Sequence, residues 1–223
     1  MKRKHLALIA TASAFALFGG GVLTAQTFMT SRIESRVQGE LPKASGVSAS
    51  MPFLDIPRNL ASDSIRSANI EIKNFTLKEN GTKTSLNIAA SNISKAKPTL
   101  VGTLELTATI PISTLAKASE FGDAQIVGDT LQVAAGAGGM GKAILIPKYS
   151  NNQLYFEIKS ISVFGNEIPA SSLPADIQDQ IKSKSQRSLT PPKGLKVKSV
   201  SINSKGLSIK MYGSNVQLGN LGL

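Results

Sequence analysis

Ser67-Ala68-Asn69-Ile70-Glu71-Ile72-Lys73-Asn74-Phe75-Thr76-Leu77-Lys78-Glu79-Asn80-Gly81-Thr82-Lys83-Thr84-Ser85-Leu86-Asn87-Ile88-Ala89-Ala90 is the stretch that decides the fold class. Ile70 and Ile72 alternate with Asn69, Glu71 and Lys73, a period of two that belongs to a half-buried strand. Phe75 and Leu77 continue in the shifted phase, which predicts a β-bulge near Asn74. Asn80-Gly81 is a hairpin turn signal, and Leu86, Ile88 and Ala90 form the returning strand.

Working outward, the same alternation recurs at Leu104/Leu106/Ala108/Ile110, Leu131/Val133/Ala135, Ala143 to Ile146, Leu154/Phe156/Ile158 and Ile161/Val163. Turn pairs at Gly122-Asp123, Gly128-Asp129, Asn151-Asn152 and Gly165-Asn166 separate most of these runs. Val200/Ile202 and Leu207/Ile209/Met211 close the chain around Ser204-Lys205-Gly206. Ile112 to Ser119 reads as a short helix. Leu173, Ile177 and Ile181 are spaced by four. With Ser172 as N-cap and Pro174 in the first turn, they predict an amphipathic helix near 172–188. Phe28, Ile33, Val37 and Leu41 recur at helical spacing and predict another, ending before Pro42. Pro42 to Ser50 reads as a small-residue linker, followed by the apolar patch Met51-Pro52-Phe53-Leu54.

The N-terminus begins Lys2-Arg3-Lys4-His5, and no formal charge follows until Arg32. An uncharged run of this length is enough to cross a hydrocarbon core of ~30 Å. Residues 1–27 are a signal anchor or a cleaved signal peptide; the bulky Leu23 at the candidate cleavage site favours the anchor. The basic end then stays in the cytoplasm, and residues 28–223 form one domain on the extracytoplasmic side. If the leader is cleaved, the domain is secreted.

Composition limits the chemistry. The 223 residues include no cysteine and one histidine, His5 in the leader. The usual zinc ligand sets and nucleophile systems built on His are therefore missing from the remainder. No metal, no cofactor and no enzymatic activity is expected. Asp176 and Asp179 share a helix face, but a hydrolase would need a carboxylate pair assembled in a cleft. The net charge is +11, and no acidic residue follows Asp179. Such a basic stretch suits an anionic surface. Aromatics are 5% of the chain, too few to interleave with the lysines as nucleic-acid binding requires. The glycine-rich run at 136–142 fits a nucleotide-loop pattern, but Ala143-Ile144-Leu145-Ile146-Pro147 reads as a strand. A phosphate loop needs a helix there, so no nucleotide is expected.

Several segments stand in a recognisable order: Ile33-Glu34-Ser35-Arg36-Val37, Met51-Pro52-Phe53-Leu54, Ile65 to Leu77, Leu189-Thr190-Pro191-Pro192-Lys193-Gly194-Leu195-Lys196-Val197, Val200-Ser201-Ile202, Gly206-Leu207, and Tyr212-Gly213-Ser214-Asn215-Val216-Gln217-Leu218. In this order the chain resembles the LmeA-like phospholipid-binding family of actinobacterial cell-envelope proteins, from Phe28 to Leu218. The resemblance implies an α+β fold like that of tubular lipid-binding proteins. A curved, mostly antiparallel sheet would wrap a long N-terminal helix and leave an apolar groove. It also implies phospholipid binding at the membrane surface, a role in envelope lipid or lipoglycan maintenance, and no catalytic residues.

On that expectation Phe53, Leu54, Phe75, Leu104, Leu106, Phe156, Ile177 and Ile181 are the candidates to line the groove. The alternative is a structural envelope protein that binds an anionic polymer through the basic C-terminal region, with Lys193, Lys196 and Lys198 as the contacts.

Overall fold

The computed structural model describes residues 5–7, 44–52, 55, 59, 61–76, 83–96, 98–118, 124–135 and 141–217. In chain order the elements are β1 (His5–Ala7), β2 (Ala44–Ser50), β3 (Ser64–Thr76), β4 (Lys83–Ser94), β5 (Leu100–Ile110), α1 (Ile112–Ala118), β6 (Ala124–Val127), β7 (Thr130–Ala135), β8 (Gly141–Ser150), β9 (Gln153–Val163), β10 (Asn166–Pro169), α2 (Ala175–Ser185), β11 (Arg187–Thr190), β12 (Lys196–Asn203) and β13 (Gly206–Gln217). A 3-10 turn at Ala170–Ser172 precedes α2. One sheet has the order β1-β11-β9-β8-β7-β6, with β10 also paired to β9; the other runs β12-β13-β5-β4-β3-β2. The chain divides into two compact units. One holds residues 1–7, 109–190 and 199–209, and the other holds 8–108, 191–198 and 210–223.

In the second unit, alternation along β3 and β4 sends every second side chain to one face. Ile70 pairs with Ile88, and Ile72 with Leu86. All four are fully buried, together with Ile65, Ile93, Leu104 and Leu106. Directly opposed β-branched and leucine side chains are the pairs that stabilise a sheet, and each buried one contributes about 1.5–3 kcal/mol. The register of β3 against β4 shifts between Ile72 and Phe75, where the sequence predicts a bulge.

β2 is a strand where a linker is expected. Ala44-Ser45-Gly46-Val47-Ser48-Ala49-Ser50 has no hydrophobic alternation, yet it pairs antiparallel with β3. Small residues are what this edge accepts. Gly46 has φ +64, and a Cβ added there would lie 3.0 Å from the Lys73 Cβ.

In the first unit, β8 and β9 form a long hairpin from Gly141↔Val163 to Ser150↔Gln153. Leu145, Leu154, Phe156 and Ile158 carry its buried face. The far edge of β9 is served by three partners in turn. Leu154 pairs with Arg187 of β11. The Ser185 hydroxyl, at the end of α2, accepts the Phe156 N–H at 2.9 Å. Ser160 to Val163 then pair with β10.

The expectation of a long N-terminal helix inside one curved sheet is overturned. The protein is mostly antiparallel β-structure in two sheets, α1 and α2 are 7 and 11 residues long, and no long N-terminal helix stands among the described residues. The physical reason is the extent of the period of two: strands supply most of the apolar faces and cover one another's hydrogen-bonding edges. The helical spacing at 28–41 falls outside the described residues, as does most of the leader. His5–Ala7 is described, and pairs parallel with β11. Among the described residues no helix is long and apolar enough to cross a membrane.

The second helix is shorter than the expected span of 172–188. Pro174 takes the N-cap position, and Gln178 Nε2 ties the helix back to the Ala170 and Leu173 carbonyls at 2.9 and 3.3 Å. The helix stops at Ser185 because the edge of β9 captures Arg187 and Ser188 as a strand. Leu189, eight residues after Ile181, is buried in β11.

Candidate functional site

The groove candidates separate by unit. Phe75 on β3, and Leu104 and Leu106 on β5, belong to the second unit and are buried. Phe156 on β9 is also buried, and belongs to the first unit with Ile177 and Ile181 of α2. Phe53 and Leu54 lie outside the described residues.

In the first unit the apolar surface is graded. α2 packs against β9. The Lys182 ammonium sits 4.8 Å from the centre of the Tyr155 ring, a cation–π contact that fixes one flank of the helix. Ser185 closes the C-terminal end on the Phe156 backbone. Ile181, about one turn further back, is half-buried, and Ile177, about two turns back, is 38% exposed. An aliphatic pair left partly open on a helix fastened at its far end can receive another apolar group.

The two hairpin turns of β9 differ. Asn151 and Asn152 have φ +52 and +56. The Tyr149 hydroxyl donates to Asn152 Oδ1 at 2.9 Å, and the Asn152 carbonyl accepts the Leu189 N–H at 2.9 Å. Burial pushes the Tyr149 phenol pKa up. At the other end Val163 pairs with Asn166, so the turn residues are Phe164 and Gly165, one position before the expected Gly165-Asn166. Phe164 has φ +48 and is 80% exposed. Pattern reading passes over it because an aromatic in a strand-rich run looks like core.

Lys193, Lys196 and Lys198 are all exposed around the turn at Gly194. Lys198 reaches Glu105 Oε1 at 3.4 Å, a surface ion pair of the kind worth about 0–1 kcal/mol. Lys142 of the glycine-rich run lies in β8, opposite Ser162. The segment after those glycines is therefore a strand, with no helix N-terminus to face a phosphate.

The acids are placed individually. Asp55 contacts Arg66 and Ser67, Glu157 contacts Lys148, and Glu167 bonds to the Ser160 hydroxyl. Among the described residues no three His, Cys, Asp or Glu side chains cluster as metal ligands do.

Sequence reading also misses a tie beside the Met51–Leu54 patch. Lys95 Nζ donates to the carbonyls of Asn59 and Ser62 at 2.5 and 2.6 Å, and buried Asn59 Oδ1 accepts the Arg66 N–H at 2.9 Å. These contacts pin the chain that follows the patch onto β3 and β4. Comparison with protein-family models, with curated proteins and with solved structures finds no match to this chain.

Proposed function

We propose that this protein is a membrane-tethered, extracytoplasmic phospholipid-binding protein that acts in cell-envelope lipid or lipoglycan maintenance. In this reading an acyl chain lies in the apolar groove between β9 and α2, beside Phe156, Ile177 and Ile181. The observation that supports it most is the incomplete burial of Ile177 and Ile181 on a helix already fastened to the sheet. The uncharged N-terminal run and the family resemblance point the same way. Burial contributes about 0.8 kcal/mol per CH₂, so a chain of about 16 carbons is worth on the order of 10 kcal/mol. A groove must replace the bilayer contacts that the chain gives up.

The test is mass spectrometry of protein extracted from membranes, joined to uptake of a fluorescent phospholipid. Co-purifying phospholipid and uptake lost in I177D and I181D are expected. A lipid-free protein that takes up no probe would sink the reading.

A second reading is favoured by the exposure of all three lysines around Gly194. Here the basic C-terminal region binds an anionic envelope polymer. Salt-sensitive cosedimentation with wall fractions, lost when Lys193, Lys196 and Lys198 become alanine, is its signature. Retained lipid uptake in that variant separates the two functions.

A further inference from the structure

We infer that the tip of the β9–β10 hairpin is a wedge that docks the protein onto an anionic phospholipid bilayer, with the Phe164 ring in the interface and Lys142 at the headgroups. This goes beyond carriage of a lipid, because docking needs only the membrane surface.

Phe164 is unfavourable twice over in the isolated protein. Its ring is 80% exposed, and its φ of +48 lies in the left-handed region, where a bulky side chain meets backbone. The same strand shows the alternative. At its other end the corresponding positions are Asn151 and Asn152, which tolerate positive φ and leave nothing apolar in water. An asparagine at 164 would remove both penalties. An aromatic ring held out under strain, on the convex end of a hairpin, gains from a surrounding that only a partner supplies.

The neighbourhood says which partner. Ile158 to Asn166 contains no acid, and β8 contains Lys142 and Lys148 but no acid. Lys142 is exposed and pairs with Ser162, two residues from the ring. Glu167, the nearest acid along the chain, is turned onto the Ser160 hydroxyl. Ile168 on β10, 38% exposed, adds aliphatic surface behind the tip. A protruding ring needs a cavity in a rigid partner, whereas a bilayer interface yields around it and favours aromatic side chains with lysine beside them.

The protein contains no tryptophan, so a single one reports its own surroundings. F164W and V127W are compared in the full chain, reconstituted in vesicles of phosphatidylcholine and phosphatidylglycerol with and without brominated acyl chains. Val127 is exposed beside the Gly128 turn, at the opposite end of the same sheet. F164W should show blue-shifted emission and lose most of it to the brominated lipid, while V127W should lose little. No quenching of F164W, or equal quenching of both, overturns the inference. K142E should weaken the quenching of F164W, as should omission of phosphatidylglycerol. Quenching unchanged in both arms overturns the assignment of an anionic surface. Quenching in a chain that carries no lipid keeps this inference while removing the function proposed above.

Discussion

β9 enters and leaves its sheet through turns of the same length, and the two ends are finished differently. At the start, Asn151-Asn152 carries the positive φ values, Tyr149 and Leu189 bond to Asn152, and Leu154 and Leu189 are buried. At the end, Phe164-Gly165 makes the turn, Val163 is only half-buried, and every residue of β10 is exposed. One end is therefore sealed by its own residues and the other is left for something else. The backbone is alike in both. The difference lies in which side chains sit on it.

Four measurements break or sharpen that contrast. Leu189→Ala opens the sealed end from inside and should cost about 2–5 kcal/mol in denaturant unfolding. The corresponding Ile168→Ala at the open end should cost far less, and equal losses would remove the distinction between the ends. Ser185→Ala removes the hydroxyl that serves the Phe156 backbone, and a loss of about 1–3 kcal/mol is expected. Asn151→Phe gives the sealed end the strain of the open one and should destabilise by about 1–2 kcal/mol. Phe164→Asn should do the reverse and raise the melting temperature slightly, since the turn relaxes and no core contact is lost. A melting temperature that falls would mean that the ring already has a partner within the chain.

The smallest effect is electrostatic. The Tyr149 phenol is raised by burial, so the folded state favours the protonated form. Its contribution is fully present below the unfolded pKa and is lost as pH rises through the folded value. Tyr149→Phe should flatten the alkaline limb of the stability profile by a small amount, which denaturation at several alkaline pH values will show.

The sequence made the buried half of this contrast legible and left the open half obscure. Leu154, Phe156 and Ile158 alternate with Tyr155 and Glu157, so β9 is visible from its period. Ile70, Ile72 and Phe75 likewise reveal β3 together with its bulge. β10 has one strongly apolar residue in Asn166-Glu167-Ile168-Pro169, and its strand character comes from pairing with β9. β2 has no alternation because its small side chains fit an edge. β11 is hidden because Arg187-Ser188-Leu189-Thr190 has one strongly apolar residue, and its strand character comes from pairing with the edge of β9. The exposure of Lys193, Lys196 and Lys198 follows from their charge. The position of Phe164 does not, because a shift of one residue decides whether it ends a strand or forms the tip of a turn.

The Ser185 hydroxyl has a consequence for how copies of this protein behave together. A strand edge with free amides is a template on which a second chain can add, and crowded molecules exploit it. On β9 the stretch between β11 and β10 is covered by α2, whose Ser185 hydroxyl accepts the Phe156 N–H. The guard is local and depends on α2 staying wound to its last residue. Fraying of that final turn would uncover the Phe156 amide and turn a private hydrogen bond into a seed for aggregation.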